Sequence, residues 1–194
     1  MKNLVIPAAG LGSRLLDKTK SIPKIMVDIN GSTIFEHQIN SIKNIVSIRD
    51  IHFIVGYKKN TLISYLKALN LKYNLHFHFN EKYRTTGCSD SLMIALNKIK
   101  SGFIYLNSDL IISNKSFINF VDSKYKNLIL LRSLDQKKET VLQKAYEVDN
   151  KIRKMDLKLN SNYNAEAVGP VKFTNKARKD IIKTFNNFSS KERE

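Results

Sequence analysis

Residues 6–15 read Ile6-Pro7-Ala8-Ala9-Gly10-Leu11-Gly12-Ser13-Arg14-Leu15, and Pro23-Lys24 follows a short way on. The run at 3–7 is apolar and of strand length, so it predicts a buried strand that ends in a glycine-bearing turn at 8–13. Gly10 and Gly12 let that turn bend tightly and bring backbone N–H groups against a bulky anion. A helix beginning near Ser13 would add its positive end. Arg14 can fork onto phosphate oxygens, and Lys24 supplies a mobile point charge suited to a phosphoryl group in transfer. The spacing fails two other phosphate loops. It contains no G-x-x-x-x-G-K-[ST], and residues 8–13 lack the third glycine of a dinucleotide fingerprint.

Outward from this stretch, strand and helix signals alternate, the mark of a parallel sheet covered by helices. Residues 25–29 read as a short extended piece before the turn dipeptide Asn30-Gly31. Ile34, Phe35, Ile39, Ile42 and Ile45 follow helical spacing over 33–46. Strands are expected at 51–55, 74–79 and 103–106, with helices at 60–70 and 91–99 between them. The last of these strands leads into Asn107-Ser108-Asp109, at the end where open α/β sheets place their chemistry. A helix at 115–122 and a strand at 127–132 follow. The pattern then changes to a hairpin turning at Asp149-Asn150, a strand within 167–174, and a last helix at 174–186. Without repeats or long linkers, residues 1–194 read as a single domain.

Composition bounds the chemistry. The chain has 194 residues, 42% of them apolar, enough for a real core. No apolar run approaches the roughly 18 residues of a membrane span, so membrane insertion is not expected. The first residues do not read as a secretory leader, and a cytoplasmic location is expected. One cysteine, Cys88, excludes an intramolecular disulfide and a cysteine zinc cluster, and it reads as a small buried filler. His76 and His78 would share one strand face, read as a solvated face rather than a metal pair, with no third ligand obvious nearby. The net charge of +16 suits polyanionic partners. Yet the lysines are scattered among many Asn and Ile, without an arginine block or aromatic-interleaved strip, which argues against a nucleic-acid surface.

The segment Ala8-Ala9-Gly10-Leu11-Gly12-Ser13-Arg14, closed by Pro23-Lys24, resembles the signature of the nucleotidyltransferase superfamily that makes NDP-sugars and CDP-alcohols. Ile54-Val55-Gly56-Tyr57, Asn80-Glu81-Lys82-Tyr83 and the strand leading to Asp109 agree with it. Residues 165–173 resemble the segment in which such enzymes meet the acceptor phosphate or its substituent. The resemblance implies a Rossmann-like α/β three-layer sandwich with a mostly parallel sheet, the GT-A-like nucleotidyltransferase fold. Residues 1–112 would form its nucleotide-binding half and 113–194 its acceptor-binding half. It further implies that Ala8, Ala9 and Gly10 present backbone to the base, and that Leu11, Gly12, Ser13 and Arg14 hold the triphosphate. Lys24 would neutralise the α-phosphate, making Arg14 and Lys24 the catalytic pair, and Asp109 would hold Mg²⁺. Acceptor-binding candidates, by position alone, are Asn107, Lys144, Lys158, Glu166 and Lys172.

Thr85-Thr86-Gly87-Cys88-Ser89-Asp90-Ser91-Leu92 is similar in place to the base-reading turn of the phosphocholine cytidylyltransferase-like branch. That implies contacts from Gly87, Ser89 and Ser91 and favours CTP as donor. Ser89 or Asp90 acting as a helix N-cap would look the same. The implied reaction moves CMP onto a phosphocholine-like alcohol phosphate, a phosphonate or a sugar phosphate and releases pyrophosphate. Such chemistry belongs to the synthesis of cell-surface glycan or phospholipid precursors, and a homo-oligomer is compatible with it. Two departures stand out. The proline common between the arginine and Pro-Lys is missing. So is a later Glu-x-Asp segment whose aspartate completes the metal site. Three explanations stay open for the second: a fragment, a substitute ligand, or an NTP-binding regulatory or scaffold subunit without efficient turnover.

Overall fold

The computed structural model describes residues 2–134, 143–156, 159 and 163–188. The chain runs through β1 (Asn3–Ala8), β2 (Asp28–Ile29), β3 (Ser32–Thr33), α1 (Ile34–Ile42), β4 (Asp50–Val55), α2 (Lys59–Ala68) and β5 (Asn74–Phe79). It continues through α3 (Cys88–Leu96), β6 (Phe103–Tyr105), α4 (Asn114–Asp122), β7 (Leu128–Ser133), β8 (Lys144–Val148), β9 (Lys151–Asp156), β10 (Ala165–Phe173) and α5 (Asn175–Asn187).

β1 is buried on both faces, so its apolar residues are continuous rather than alternating with polar ones. Leu4, Ile6 and Ala8 point to one side, where they meet Phe35 and Ile42 of α1, Leu62 and Leu66 of α2, and Phe117 and Phe120 of α4. Val5 and Ala9 point to the other, against Met93 and Leu96 of α3, with Ile181 and Phe185 of α5 beyond. Two helical layers thus enclose the sheet, with period-2 alternation sorting the contacts. The first turn of α1 is locked by reciprocal bonds: Glu36 N donates to Thr33 Oγ1 at 3.1 Å, and Thr33 N donates to Glu36 Oε2 at 2.7 Å.

The sheet has eight strands, with β5, β4, β1 and β6 parallel and in that spatial order. β10 runs antiparallel to β6 through Val171–Phe173 and to β8 at Ala165 and Glu166, while β7 pairs with it at Ala165–Ala167 and again at Val171 and Lys172, and β9 is outermost beyond β8. The expected hairpin forms at Asp149-Asn150, both at positive φ (54° and 57°). The expected extended piece at 25–29 is instead a 3-10 turn, Lys24–Met26, followed by the two-residue strand β2, which pairs with β3 across Asn30-Gly31. A bulge interrupts β10 between Ala167 and Val171, with Gly169 at φ 61°.

Candidate active site

Strand order reverses at β1. The chain moves outward to β4 and β5 and then returns through α3 to place β6 on the other flank of β1. A crevice opens at such a switch point, beyond the C-terminal ends of the two strands. Here it is a cleft of about 820 Å³ whose wall includes Ala8, Ala9, Gly10, Gly12, Ser13, Arg14 and Lys24 from the first 24 residues. Gly87 and Ser91 reach it from the start of α3, and Asn107 and Asp109 from the turn after β6. Leu11 and Ser89 lie off this wall, and Leu11 is exposed.

The loop's shape follows from Gly12, which sits at φ 66°, ψ 25°, the left-handed region. A Cβ there would lie 3.0 Å from Thr19 Cγ2 and 3.2 Å from Lys24 Cβ, so only glycine lets Lys24 come so close. The segment after it is not the expected α-helix. Ser13–Thr19 forms 3-10 turns, because Leu15 N takes the Gly12 carbonyl at i+3 (2.9 Å) and the Thr19 hydroxyl donates to the same oxygen at 3.0 Å. An α-helical dipole at Ser13 is therefore absent, which leaves Arg14 and Lys24 as the positive charges the first 24 residues bring to the cleft wall.

The neighbouring strand pins the loop from beneath. Tyr57 N donates to Ala9 O at 3.0 Å and Tyr57 Oη to Lys20 O at 2.6 Å. A Cβ on Gly56 would come within 2.7 Å of both Ala9 O and Tyr83 Cβ, so the backbones meet only because residue 56 is glycine. On the other rim, the buried Asn80 donates to Thr86 Oγ1 at 3.0 Å and to Ser91 Oγ at 2.9 Å, holding the turn that opens α3. The N-cap of α3 is Gly87, so neither Ser89 nor Asp90 caps it. Cys88 follows directly and is an exposed thiol on the cleft wall, not a buried filler, because the first residue of α3 faces the cleft rather than the sheet. Tyr105 lies across the cleft floor, its phenol pushed up by burial and further by Cys88 and Asp109.

Asp109 pairs with the Lys24 ammonium across the cleft, with the two side chains 46% and 24% exposed. Both are open enough to exchange this partner for a ligand. The turn carrying Asp109 is held from below by Gln38 of α1, whose Nε2 donates to Asn107 O at 2.8 Å and Leu110 O at 2.9 Å. Gln38 was missed in the sequence, although a polar residue on the inward stripe of Ile34, Phe35 and Ile42 was a visible signal. Among the described residues no group of three or more His, Cys, Asp or Glu could hold a metal. One carboxylate facing a glycine loop nevertheless suits Mg²⁺, which keeps waters and takes few protein ligands where substrate phosphates supply the rest.

The acceptor candidates separate. Asn107 is on the cleft wall, where the β10 bulge brings Val168 beside it and Gly169 packs on its amide. Lys172 is buried elsewhere: its ammonium donates to Phe120 O, Val121 O and Ser123 O at 3.0–3.2 Å, closing the C-terminal end of α4. Burial lowers its pKa, with Asp122 acting against the shift. Glu166, fully buried, pairs with Arg132 and leaves Oε2 without a partner among the described residues. Lys144 donates to Leu159 O at 3.0 Å and lies over the Tyr163 ring. Neither reaches the cleft wall. Lys158 falls outside the described residues. Away from the cleft, His52 on β4 stacks on His76 at 4.5 Å and places Nδ1 3.0 Å from His78 Nε2, a stack of rings that does not form a metal group.

A doubly wound α/β domain with a cationic glycine loop and a facing carboxylate at its switch point defines a nucleotide-binding class of protein. Residues 3–168 match the family described as nucleotidyl transferase, and the chain belongs to that family. It is 31% identical over 180 residues to the bifunctional protein GlmU of Methanococcus aeolicus, covering 93% of this chain and 42% of that protein. It is 33% identical over 124 residues to the CTP:phosphoglutamine cytidylyltransferase of Campylobacter jejuni, covering 64% of this chain and 47% of that one. The chain thus spans less than half the length of either relative. The solved structure of the CTP:phosphocholine cytidylyltransferase of Streptococcus pneumoniae shares the fold, with a TM-score of 0.72, 22% identity, and coverage of 96% of this chain and 77% of that one. Among the described residues no helix is long and apolar enough to cross a membrane.

Proposed function

We propose that this domain transfers a nucleoside monophosphate, CMP from CTP, to a small phosphorylated acceptor. An acceptor phosphate oxygen attacks the α-phosphorus, the bond to the β-phosphate oxygen breaks, and pyrophosphate leaves. The acceptor phosphate is already a nucleophile, so positioning and charge neutralisation can supply most of the rate. The nucleotide sits against the half formed by residues 1–112. The backbone of Ala8, Ala9 and Gly10 faces the base, Gly12 and Ser13 hold the triphosphate, Arg14 forks onto its oxygens, and Lys24 follows the charge that builds on the α-phosphoryl. Asp109 is the carboxylate that would hold Mg²⁺, whose charge would offset that of the phosphates. The acceptor approaches from the half formed by residues 113–194, beside Asn107 and Val168.

The observation that carries this reading is the meeting of Arg14, Lys24 and Asp109 around one cleft with the Gly10–Gly12 backbone. The α3 turn and the cytidylyltransferase relative support CTP. A rice relative described as a probable mannose-1-phosphate guanylyltransferase keeps sugar phosphates among the acceptors to be tried.

Pyrophosphate release from each of the four NTPs, with Mg²⁺ and a panel of alcohol phosphates, phosphonates and sugar phosphates, tests the proposal. CTP is expected to work best. A second reading, a subunit that binds nucleotide without turning it over, is favoured by Asp109 being the lone carboxylate on the described wall. Tight Mg²⁺-dependent CTP binding with no release across the panel would select it.

A further inference from the structure

Asp109 lies just past the end of the β6 ladder, beyond Leu106, whose N–H makes the last bond to β1 (Val5 O, 2.9 Å). The sheet therefore does not fix its direction. Gln38 does something the rest of the core does not need. It is 1% exposed on the inward face of α1, and both amide hydrogens go to the carbonyls of Asn107 and Leu110. Those two acceptors fix which way the amide faces, and Gln38 Oε1 is left buried without a partner among the described residues. Methionine would fill the same volume and remove that orphaned acceptor, but it would strip both carbonyls of a donor and leave Asn107 O with Leu110 N alone, so what glutamine supplies here is its hold on the 107–110 turn. The same helix holds the following residues twice more: Ser41 Oγ donates to Ile112 O, and Asn114 Nδ2 donates to Ser41 O at 2.8 Å. α1 is thus a rail along which the segment after β6 is fastened, and Gln38 is its fastening nearest the cleft.

We infer that Gln38 is a positioning residue for Asp109, setting the direction in which that carboxylate meets Lys24 and a phosphate-bound divalent cation. The inference rests on the reading of the cleft as a triphosphate site. Gln38 touches neither substrate nor metal and acts through the backbone of residues 107–110.

Two substitutions and two measurements test it. In ligand-free protein, Gln38→Met frees the turn, and the amides of Ser108 to Ile112 exchange hydrogen about tenfold faster. The Mg²⁺ concentration needed for half-maximal binding of a non-hydrolysable CTP analogue rises about tenfold, the scale seen when an outer partner of a metal ligand is lost. The melting temperature changes by only a few degrees, since relief of the orphaned oxygen offsets part of the cost of two lost donors. Gln38→Glu adds a signature that packing cannot imitate. A protonated carboxyl can still donate one bond to the turn, whereas a carboxylate faces two carbonyls and repels them. Its Mg²⁺ requirement therefore climbs from pH 5 to pH 8, while that of Gln38→Met does not.

Unchanged exchange in Gln38→Met overturns the inference whether or not the protein binds nucleotide. A lower melting temperature with an unchanged Mg²⁺ requirement, measured beside a wild type that binds, also overturns it and makes Gln38 a packing residue. A wild type that binds no nucleotide sinks the reading of the cleft instead, and the exchange measurement still decides Gln38.

Discussion

Alanine placed at Gly10 and at Gly12 should weaken ligand binding alike but differ in folding stability, two positions apart in one loop. Gly12 has φ 66°, where an alanine costs about 1–2 kcal/mol. Its new Cβ would also stand 3.0 Å from Thr19 Cγ2, on a side chain that is 3% exposed and tied to the Gly12 carbonyl. A total near 2 kcal/mol lowers the melting temperature by about 4–8 °C in a chain of this size. A Cβ added at Gly10 would meet no atom within 4 Å, and the residue is exposed to the cleft. Gly10→Ala therefore leaves the melting temperature within about 1–2 °C, as an unhindered surface change does. What it obstructs is the ligand. Displacing the nucleotide and so losing one close charge-assisted contact to its phosphates, worth about 1.5–3 kcal/mol, weakens CTP binding by roughly 10- to 100-fold. Gly12→Ala loses comparable affinity because it pushes against Lys24 Cβ, 3.2 Å away. Thermal melts without ligand, followed by calorimetric titration with Mg²⁺ and CTP, read both effects. Equal melting losses for the two variants would refute the backbone argument. A Gly10→Ala protein with normal affinity would refute the placement of the nucleotide.

Other perturbations follow from the same geometry. Asp109→Asn changes folding stability by less than about 1 kcal/mol, because the Lys24 pair is solvent-exposed, yet turnover falls by roughly 10²-fold or more. Equal losses in stability and rate would make the pair structural. The Cys88 thiol reacts with iodoacetamide in free protein and slows several-fold under saturating CTP and Mg²⁺. An unchanged rate would place the nucleotide elsewhere. Burial, with His76 and His78 beside it, holds His52 at about 4, below its usual 6.5. The unfolded chain takes up that proton first as pH falls. Stability is therefore intact above pH 6.5 and drops by about 3 kcal/mol on the way to pH 4. His78 is shifted the same way and adds to the loss. Urea unfolding across this range checks the slope, and His52→Asn should flatten it.

The fold was legible where local pattern and burial agree. The run opening the chain is apolar at every residue that ends up between two helical layers, and Ile34, Phe35 and Ile42 mark the buried stripe of α1. Boundaries slipped where a backbone feature outranked hydrophobicity. α3 begins at Cys88, four residues before Leu92, because Asn80 ties Thr86 in the turn ahead of it to Ser91 in its first turn. The stretch at 25–29 has a strand's composition. Yet Met26 N and Val27 N bond to Pro23 O and Lys24 O, which curls it into a 3-10 turn that aims Lys24 at the cleft.

The site was legible to the extent that its chemistry is contiguous in sequence. Ala8 to Arg14 and Lys24 lie within 24 residues, and the charge and glycine content of that stretch name an anion before any fold is known. What joins them from afar could be ranked only by position, and position does not reveal where a side chain ends. Lys172 sits five residues past the bulge that reaches the cleft, counted from Ala167. The pleat nonetheless turns it to the opposite side, where α4 presents three free carbonyls that its ammonium satisfies better than a distant phosphate could. Gln38 is the converse. Nothing about a glutamine in an apolar stripe says metal or phosphate, and its meaning comes only from the carbonyls 69 and 72 residues later in the chain. A cleft of this kind divides its labour accordingly. In the proposed reading, groups that touch the ligand are drawn from a short motif, because one loop would wrap one triphosphate. Groups that aim them come from wherever the sheet's topology brings a helix beneath the turn, so they leave no motif to read.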